Sequence, residues 1–498
     1  MKRLLFTLAG PACAVLLYAL LKHVGEAQAA MAGIVAWMAV WWISEAVPLA
    51  VTSLLPVVLF PLLGICDLPK AAGFYGKDVI FLFIGGFLLA LGIERSGLHK
   101  RIALHIVHRV GASPSRLILG SLLATGLLSM WINSTAAVLV MLPIGMSLLS
   151  AAPGHARLGA ALALAVGYGA TIGGMATPVG TPPNLVFMEQ WKQFFPERDA
   201  IGFGQWMLFG VPYAMLYMLL TWLLMTKVLF RMPGPASVDK RALRDQIRAL
   251  GPASRDEALS AIVFGITALL WITGDRIAFT DDVVFEGWRS NEWVDLKGFG
   301  DPAVAMVGGI LLFLIPSSDR PAGGSTLNGS PLAAAPARRS LLDWDFAQAR
   351  IPWGVVLLIG SGFAIAGGID ASGLSATIGE ALATWRAGSE TLQVGAIATS
   401  VTLLSELGSN TAVASLVLPI LARTAEVWGM LPQAVMIPAT LAASCGFMLP
   451  IASPMQAIIF SSGHISVKHM MRAGIWMDAL GVGLLMALWA LIGDAVFV

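Results

Sequence analysis

Charge is what this sequence has least of. Only 12% of its 498 residues are Asp, Glu, Lys or Arg, roughly half the ~25% of an ordinary soluble chain, so a surface wetted on all sides is excluded. The charges also nearly cancel, 31 Lys and Arg against 29 Asp and Glu for a formal net charge of +2. That leaves no basic excess for a nucleic-acid backbone. Cys13, Cys66 and Cys445 lie far apart with no CxxC spacing and form neither a disulfide framework nor a metal cluster. No P-loop or HExxH motif occurs, so ATP hydrolysis and zinc chemistry lack their usual signatures. No nucleophile, base and orienting group stand together as an enzyme would require.

Apolar residues are abundant instead, at 57% of the chain. Runs near the ~20 residues of a bilayer crossing recur at 4–21, 31–50, 52–64, 79–94, 159–176, 206–226, 258–274, 302–316, 352–369 and 473–493. One more, 433–463, is broken at Pro450 and Pro454. The chain therefore reads as an all-α polytopic membrane protein with about eleven crossings. The first run lacks a signal-peptidase site and is followed by further spans, so it is read as a helix. The positive-inside rule puts 21 of the 31 Lys and Arg on the side of the N-terminus, the cytoplasm. The C-terminus falls outside, as does the acidic loop 275–301 with Asp281, Asp282, Glu286, Glu292 and Asp295. Two segments are large enough to be loops, charged 232–257 and Gly/Pro/Ser/Ala-rich 317–350. His99, His105 and His108 fall with Lys100, Arg101 and Arg109 on a basic interfacial helix. Most of the 16 tryptophans, Trp37, Trp41 and Trp42 among them, are expected at the interfaces.

The halves of the chain repeat. GFLLALGIERSGL at 86–98 matches GFAIAGGIDASGL at 362–374, an offset of 276, and the same offset relates LLSMWINSTA at 127–136 to LLSELGSNTA at 403–412. Pro178-Val179-Gly180-Thr181-Pro182 then corresponds to Pro450-Ile451-Ala452-Ser453-Pro454. The number of crossings between the copies makes the repeat inverted, as in many secondary transporters. Segments 114–150 and 390–425 read as re-entrant hairpins, each with two apolar arms and a polar tip: Asn133-Ser134-Thr135 and Ser409-Asn410-Thr411. Non-helical backbone at that depth must be covered by protein or line a watery cavity. Broken helices offer N–H groups to anions and C=O groups to cations, while Ser, Thr and Asn add neutral oxygens. One such triplet would ordinarily serve helix packing. Two at a common offset, each joined to a proline-broken segment, mark a ligand site. Since no Lys or Arg lies in either triplet or break, a dianion there needs bound cations to balance it. Glu45 and Glu94 sit near helix ends and read as caps or ion pairs. Asp478 lies in an apolar run, and Glu406 is three residues from the second tip with its role open.

These residues carry a resemblance. WWISEAVPLAVTSLLPVVLFPLLGI (41–65), FIGGFLLALGIERSGLHKRIAL (83–104), TPVGTPPN (177–184), the two tips and MLPIASPMQAIIFSSGHISVKHMMRAGIW (448–476) resemble the divalent-anion/sodium symporter family over residues 40–490. The resemblance implies a homodimer in a bacterial cytoplasmic membrane, carrying small dianions with sodium as the coupling ion. Four-carbon dicarboxylates are the first expectation, and sodium-independent exchange, citrate and sulfate stay open beside them. It implies an elevator mechanism, with scaffold helices at 1–94 and 258–369, arms at 95–113 and 370–389, a linker at 232–257, and transport-domain halves at 114–231 and 390–498. By the same resemblance one sodium site would use Ser129, Asn133, Ser134 and Gly180, and another Ser405, Gly408, Asn410 and Ala452. Substrate would meet Asn133, Ser134, Thr135, Thr181, Ser409, Asn410, Thr411, Ser453 and Pro454. No other cofactor and no nucleic acid is implied. Two positions depart from the family's Ser-Asn-Thr and Pro-Pro-Asn patterns. The first tip reads Asn133-Ser134, and Pro454 is followed by Met455-Gln456. The exchanged order moves an amide by one residue, leaving open a repacked sodium site, a weakened one, or an unchanged oxygen count.

Overall fold

Helix satisfies its own backbone polar groups, which is what hydrocarbon demands, and the computed structural model is helical along most of its length. It describes residues 2–111, 113–150, 156–230, 240–280, 283–290, 296, 298–318, 326–327, 330–331, 340–382 and 388–497. Of the loop residues singled out above, Asp281, Asp282, Glu292 and Asp295 lie outside these, as do 232–239 and, within 317–350, residues 319–325, 328–329 and 332–339. Among the described residues seven helices are long and apolar enough to cross a membrane, from Arg3–Leu21 to Val467–Gly493. Two short antiparallel ribbons, Ile277–Thr280 with Val283–Phe285 and Thr326–Leu327 with Ser330–Pro331, sit between helices.

The repeat survives as structure. Asp78–Ser96, Leu98–Val110, Pro114–Ser129, Ser134–Ser150, Ala156–Gly174, Pro182–Phe194 and Phe203–Leu223 recur in the same order. Their counterparts are Trp353–Ala371, Leu374–Leu382, Glu390–Ser405, Asn410–Trp428, Pro432–Ala443, Pro454–Ser461 and Val467–Leu488. Both expected hairpins and both expected breaks are present. Each arm begins after a glycine at positive φ, Gly97 at 86° and Gly373 at 75°, which are partners at the 276-residue offset. Only glycine adopts that conformation without strain.

Two expectations need correction. The run 52–64 is not one helix but two, Leu49–Thr52 and Leu55–Leu62. Pro48 caps the first and Pro56 opens the second, and proline has no N–H with which to continue a preceding helix. Eight residues rise only about 12 Å, too little to cross. Nor does Trp42, named above with the interfacial tryptophans, reach a surface. Trp42, Trp191, Trp206 and Trp271 are fully buried. The last three can be, because their indole N–H groups donate to Asp199 O at 3.0 Å, Met175 O at 3.1 Å and Asp301 O at 3.1 Å.

The basic arm Leu98–Val110 is tied down by Arg101. Its Nε donates to Glu257 Oε1 at 2.9 Å, and its other nitrogens donate to Gly251 O at 3.0 Å and Pro252 O at 3.1 Å. Glu94 pairs with Arg350 at 3.3 Å as expected of a helix-end acid. The first hairpin lies flat on Ala156–Gly174 because glycine lets the backbones touch. A β-carbon on Gly173 would stand 2.2 Å from Gly126 O, and one on Gly169 2.5 Å from Leu122 O, the small-residue packing of membrane helices. Gly173→Ala is therefore expected to destabilise by about 1–3 kcal/mol, visible as a lower melting temperature of detergent-purified protein. Gly145→Ala, where a β-carbon meets nothing within 4 Å, should leave the melting temperature unchanged or slightly raised.

Candidate ion and substrate site

The two tips are built by the same bonds. At the end of Pro114–Ser129, Ser129 Oγ donates to Ala170 O at 2.5 Å. At the end of Glu390–Ser405, Ser405 Oγ donates to Ala443 O at 2.5 Å. Each serine thus ties its hairpin to the last turns of the helix that breaks beside it. The next helix then starts at Ser134 in one half and at Asn410 in the other, and these equivalent side chains turn back onto the serines. Ser134 Oγ stands 2.7 Å from Ser129 Oγ and 3.5 Å from Gly180 O. Asn410 Oδ1 stands 2.8 Å from Ser405 Oγ, while its Nδ2 donates to Ser444 O at 3.5 Å.

Proton counting separates the two clusters. Ser405 has one hydroxyl proton for two acceptors, Ala443 O and Asn410 Oδ1, so the second cluster is oxygen-rich and proton-poor. The first contains two hydroxyls and can satisfy one more acceptor. The exchanged order has a visible result here. Asn133 does not reach the Ser129 cluster. Its Oδ1 accepts from Thr135 N at 2.7 Å and Ala136 N at 3.4 Å, capping the helix that follows. In the second half the equivalent Ser409 makes no side-chain cap. Of the remaining residues expected for sodium, Gly180 packs so closely on Gly174 that a β-carbon would come within 2.5 Å of its carbonyl. Ala452 lies beside Gly446, and Gly408 faces Ile43.

The breaks are held open by side chains that the sequence reading left unassigned. Thr177 Oγ1 donates to Met130 O at 2.5 Å and accepts from Gly180 N at 3.1 Å, and the fully buried Asn184 donates to Thr177 O at 2.8 Å. In the second half, where Gln456 replaces the equivalent Asn, a different device serves. The Glu406 carboxylate accepts from Met448 N at 2.8 Å and Leu449 N at 3.0 Å, fixing the unwound turn to the hairpin's end. Its proximity to the tip was the one signal available in sequence. Asp478 lies beside it on the last long helix.

All nine residues expected at the substrate line one cavity of about 560 Å³, together with Gly180 and Ala452. Each tip packs on the broken helix of the other half, as Ser134–Ser150 does on Pro454–Ser461 and Asn410–Trp428 on Pro182–Phe194. Thr135 Oγ1 reaches Met455 Sδ at 3.8 Å across that junction. Four helix N-termini therefore meet at the cavity, beginning at Ser134, Pro182, Asn410 and Pro454, and each brings partial positive charge. The rest of the lining includes residues of other helices: Leu49, Phe83, Phe87, Val355 and Leu358 are apolar, and Glu45 is among them. No Lys, Arg or His lines the cavity among the described residues.

With this geometry in place, the comparisons are consistent. Residues 2–497 match the model of the sodium:sulfate symporter transmembrane region. The sodium-dependent dicarboxylate transporter SdcS of Staphylococcus saprophyticus is 36% identical over 461 residues, covering 90% of this chain and 82% of that protein. SdcS of Staphylococcus aureus is 37% identical over 459 residues, covering 89% and 82%. Two solved transporters share the fold at low identity. YdaH of Alcanivorax borkumensis has a TM-score of 0.55 at 16% identity, over 89% of this chain and 90% of its own. MtrF of Neisseria gonorrhoeae has a TM-score of 0.57 at 13%, over 88% and 84%. The chain belongs to the sodium:sulfate symporter family of membrane transporters.

Proposed function

We propose that this protein imports small dicarboxylates, four-carbon ones foremost, by coupling them to sodium, and that the hairpins and broken helices carry the site across the membrane as an elevator. The observation that carries this reading is the charge balance of the cavity: four helix N-termini and two clusters of neutral oxygens, without one cationic side chain among the described residues. Partial charges at helix ends favour a carboxylate but do not neutralise two. Hard cations take oxygen cages, and the oxygen-rich corner at Ser405 and Asn410 is suited to one. The names of the Staphylococcus relatives support both the ion and the substrate class. In this reading Ser405, Asn410, Gly408 and Ala452 hold one sodium, and Ser129, Ser134 and Gly180 another, with Asn133 turned toward the substrate. The glycines at Gly97, Gly111 and Gly373 are hinges for the arms. The protein works as a homodimer in the cytoplasmic membrane with its N-terminus inside.

Uptake of labelled succinate into proteoliposomes tests the reading. An inward sodium gradient should drive accumulation, and uptake indifferent to the gradient would contradict it. One feature favours a second reading, a carrier that exchanges dicarboxylates with little sodium coupling: Ser134 stands where the other half has Asn410, giving the first cluster an extra proton and no amide oxygen. Exchange would make internal dicarboxylate, not sodium, set the rate.

Asn410→Ala removes an oxygen that only Ser405 and a cation would use. It should cut sodium-driven uptake at least about tenfold, the loss of roughly 1.4 kcal/mol of ion binding, with expression unchanged in immunoblots of the membrane fraction. The double exchange Asn133→Ser with Ser134→Asn restores an amide beside Ser129. The sodium titration of uptake should shift to lower concentrations, and an identical titration would show that a hydroxyl serves there equally well.

A further inference from the structure

Among the described residues Glu45 is the one ionisable side chain lining a cavity that otherwise offers neutral groups, and its sign is wrong for an anion carrier. Its local position is unfavourable twice over. It ends the helix Glu26–Ser44, where the backbone presents partial negative charge and a carboxylate is repelled. It is also the one described residue other than glycine at positive φ, 48°, a conformation that residues with a β-carbon avoid and that is retained where the surroundings over-determine it. An ion pair would have explained a helix-end acid, as it does at Glu94. Glu45 makes none among the described residues. The neighbouring cation, Arg3, donates from Nε to Ala46 O at 3.0 Å instead, which helps to fix the turn while leaving the Glu45 side chain exposed. Glu45 belongs to a helix outside the hairpins and lines the same cavity as the tips.

We propose that Glu45 is a fixed charge gate: its carboxylate opposes entry of a dianion into the ion-free cavity and favours entry of sodium, so that sodium binds first. This rests on the sodium-coupled dicarboxylate reading. Without bound cations the dianion meets a net negative chamber, and the partial charges of four helix ends must overcome both its desolvation and the wall carboxylate. With the oxygen clusters filled by sodium, the same carboxylate faces a net positive surface and the repulsion is offset. The neutrality of the first cluster makes such a gate more useful, because Ser134 attracts a cation less than an amide oxygen would. The wall does not belong to the hairpins, so in an elevator Glu45 opposes the site at one end of the travel only.

Calorimetric binding of succinate to detergent-purified protein, over a series of sodium concentrations at constant ionic strength with choline as replacement, tests the gate. The wild type should bind more tightly as sodium rises. Glu45→Gln should bind succinate about three- to tenfold more tightly at low sodium, as expected for removing one screened charge from opposite a dianion, with a shallower sodium dependence. Glu45→Asp should follow the wild type. Glu45→Gly removes the charge while suiting the positive φ, so it should match Glu45→Gln and serves if that variant fails to fold. Equal or weaker succinate binding by both neutral variants at every sodium concentration would overturn the gate while leaving coupled transport intact. Sodium-independent binding by the wild type would instead overturn the coupled reading itself, and the gate with it.

Discussion

Every backbone group that leaves a helix inside hydrocarbon must find another partner, at a cost of several kcal/mol if it does not, and this constraint governs the middle of the molecule. Two hairpins and two broken helices interrupt the backbone at corresponding places in the two repeats. The interruptions are satisfied reciprocally. Ser129 and Ser405 donate to carbonyls at the ends of the breaking helices, Thr177 and Asn184 brace the first unwound turn, and Glu406 braces the second. Once those partners are in place, the starts of four helices and the oxygens around two serines line the cavity. The site is thus the remainder of a hydrogen-bonding problem solved twice by one repeat.

The two solutions are not identical, and the differences carry chemistry. Asn184 holds its turn by donating to carbonyls, whereas Glu406 holds the other by accepting from amides, so the second half has a negative group close behind its tip and the first has none. The amide at the first tip caps a helix, and the amide at the second faces the oxygen cluster. Under the proposed function both asymmetries favour the second half for the cation. In the proposed arrangement coupling between ion and anion needs no moving wire, because each ligand reduces the charge cost of the other.

Much of this was legible in the sequence because membrane folding leaves long-range signals in short words. The 276-residue offset, the paired tips and the proline breaks located both hairpins and the cavity-lining residues, since two small polar triplets at one offset, each beside a proline break, are hard to assign to packing alone. What stayed hidden depends on direction rather than identity. That Asn133 caps its helix while Ser134 turns inward is a matter of one residue on a tight turn, and both carry an oxygen. The short helices at 49–62 share the composition of a true span and differ only in proline placement. Trp206 and Trp271 are buried because carbonyls happen to meet their indoles, which no local pattern records. Glu45 looked like an ordinary helix-end acid. Only the fold shows it lining a cavity without an ion-pair partner among the described residues.

The account stands on both tips and the four helix N-termini meeting around one anion. Anomalous diffraction from crystals soaked in bromosuccinate with sodium tests this directly. The account predicts one bromine peak in the cavity, within reach of Thr135 and Thr411, that disappears when potassium replaces sodium. A peak at a cationic side chain elsewhere, or one in the cavity that persists without sodium, would contradict it.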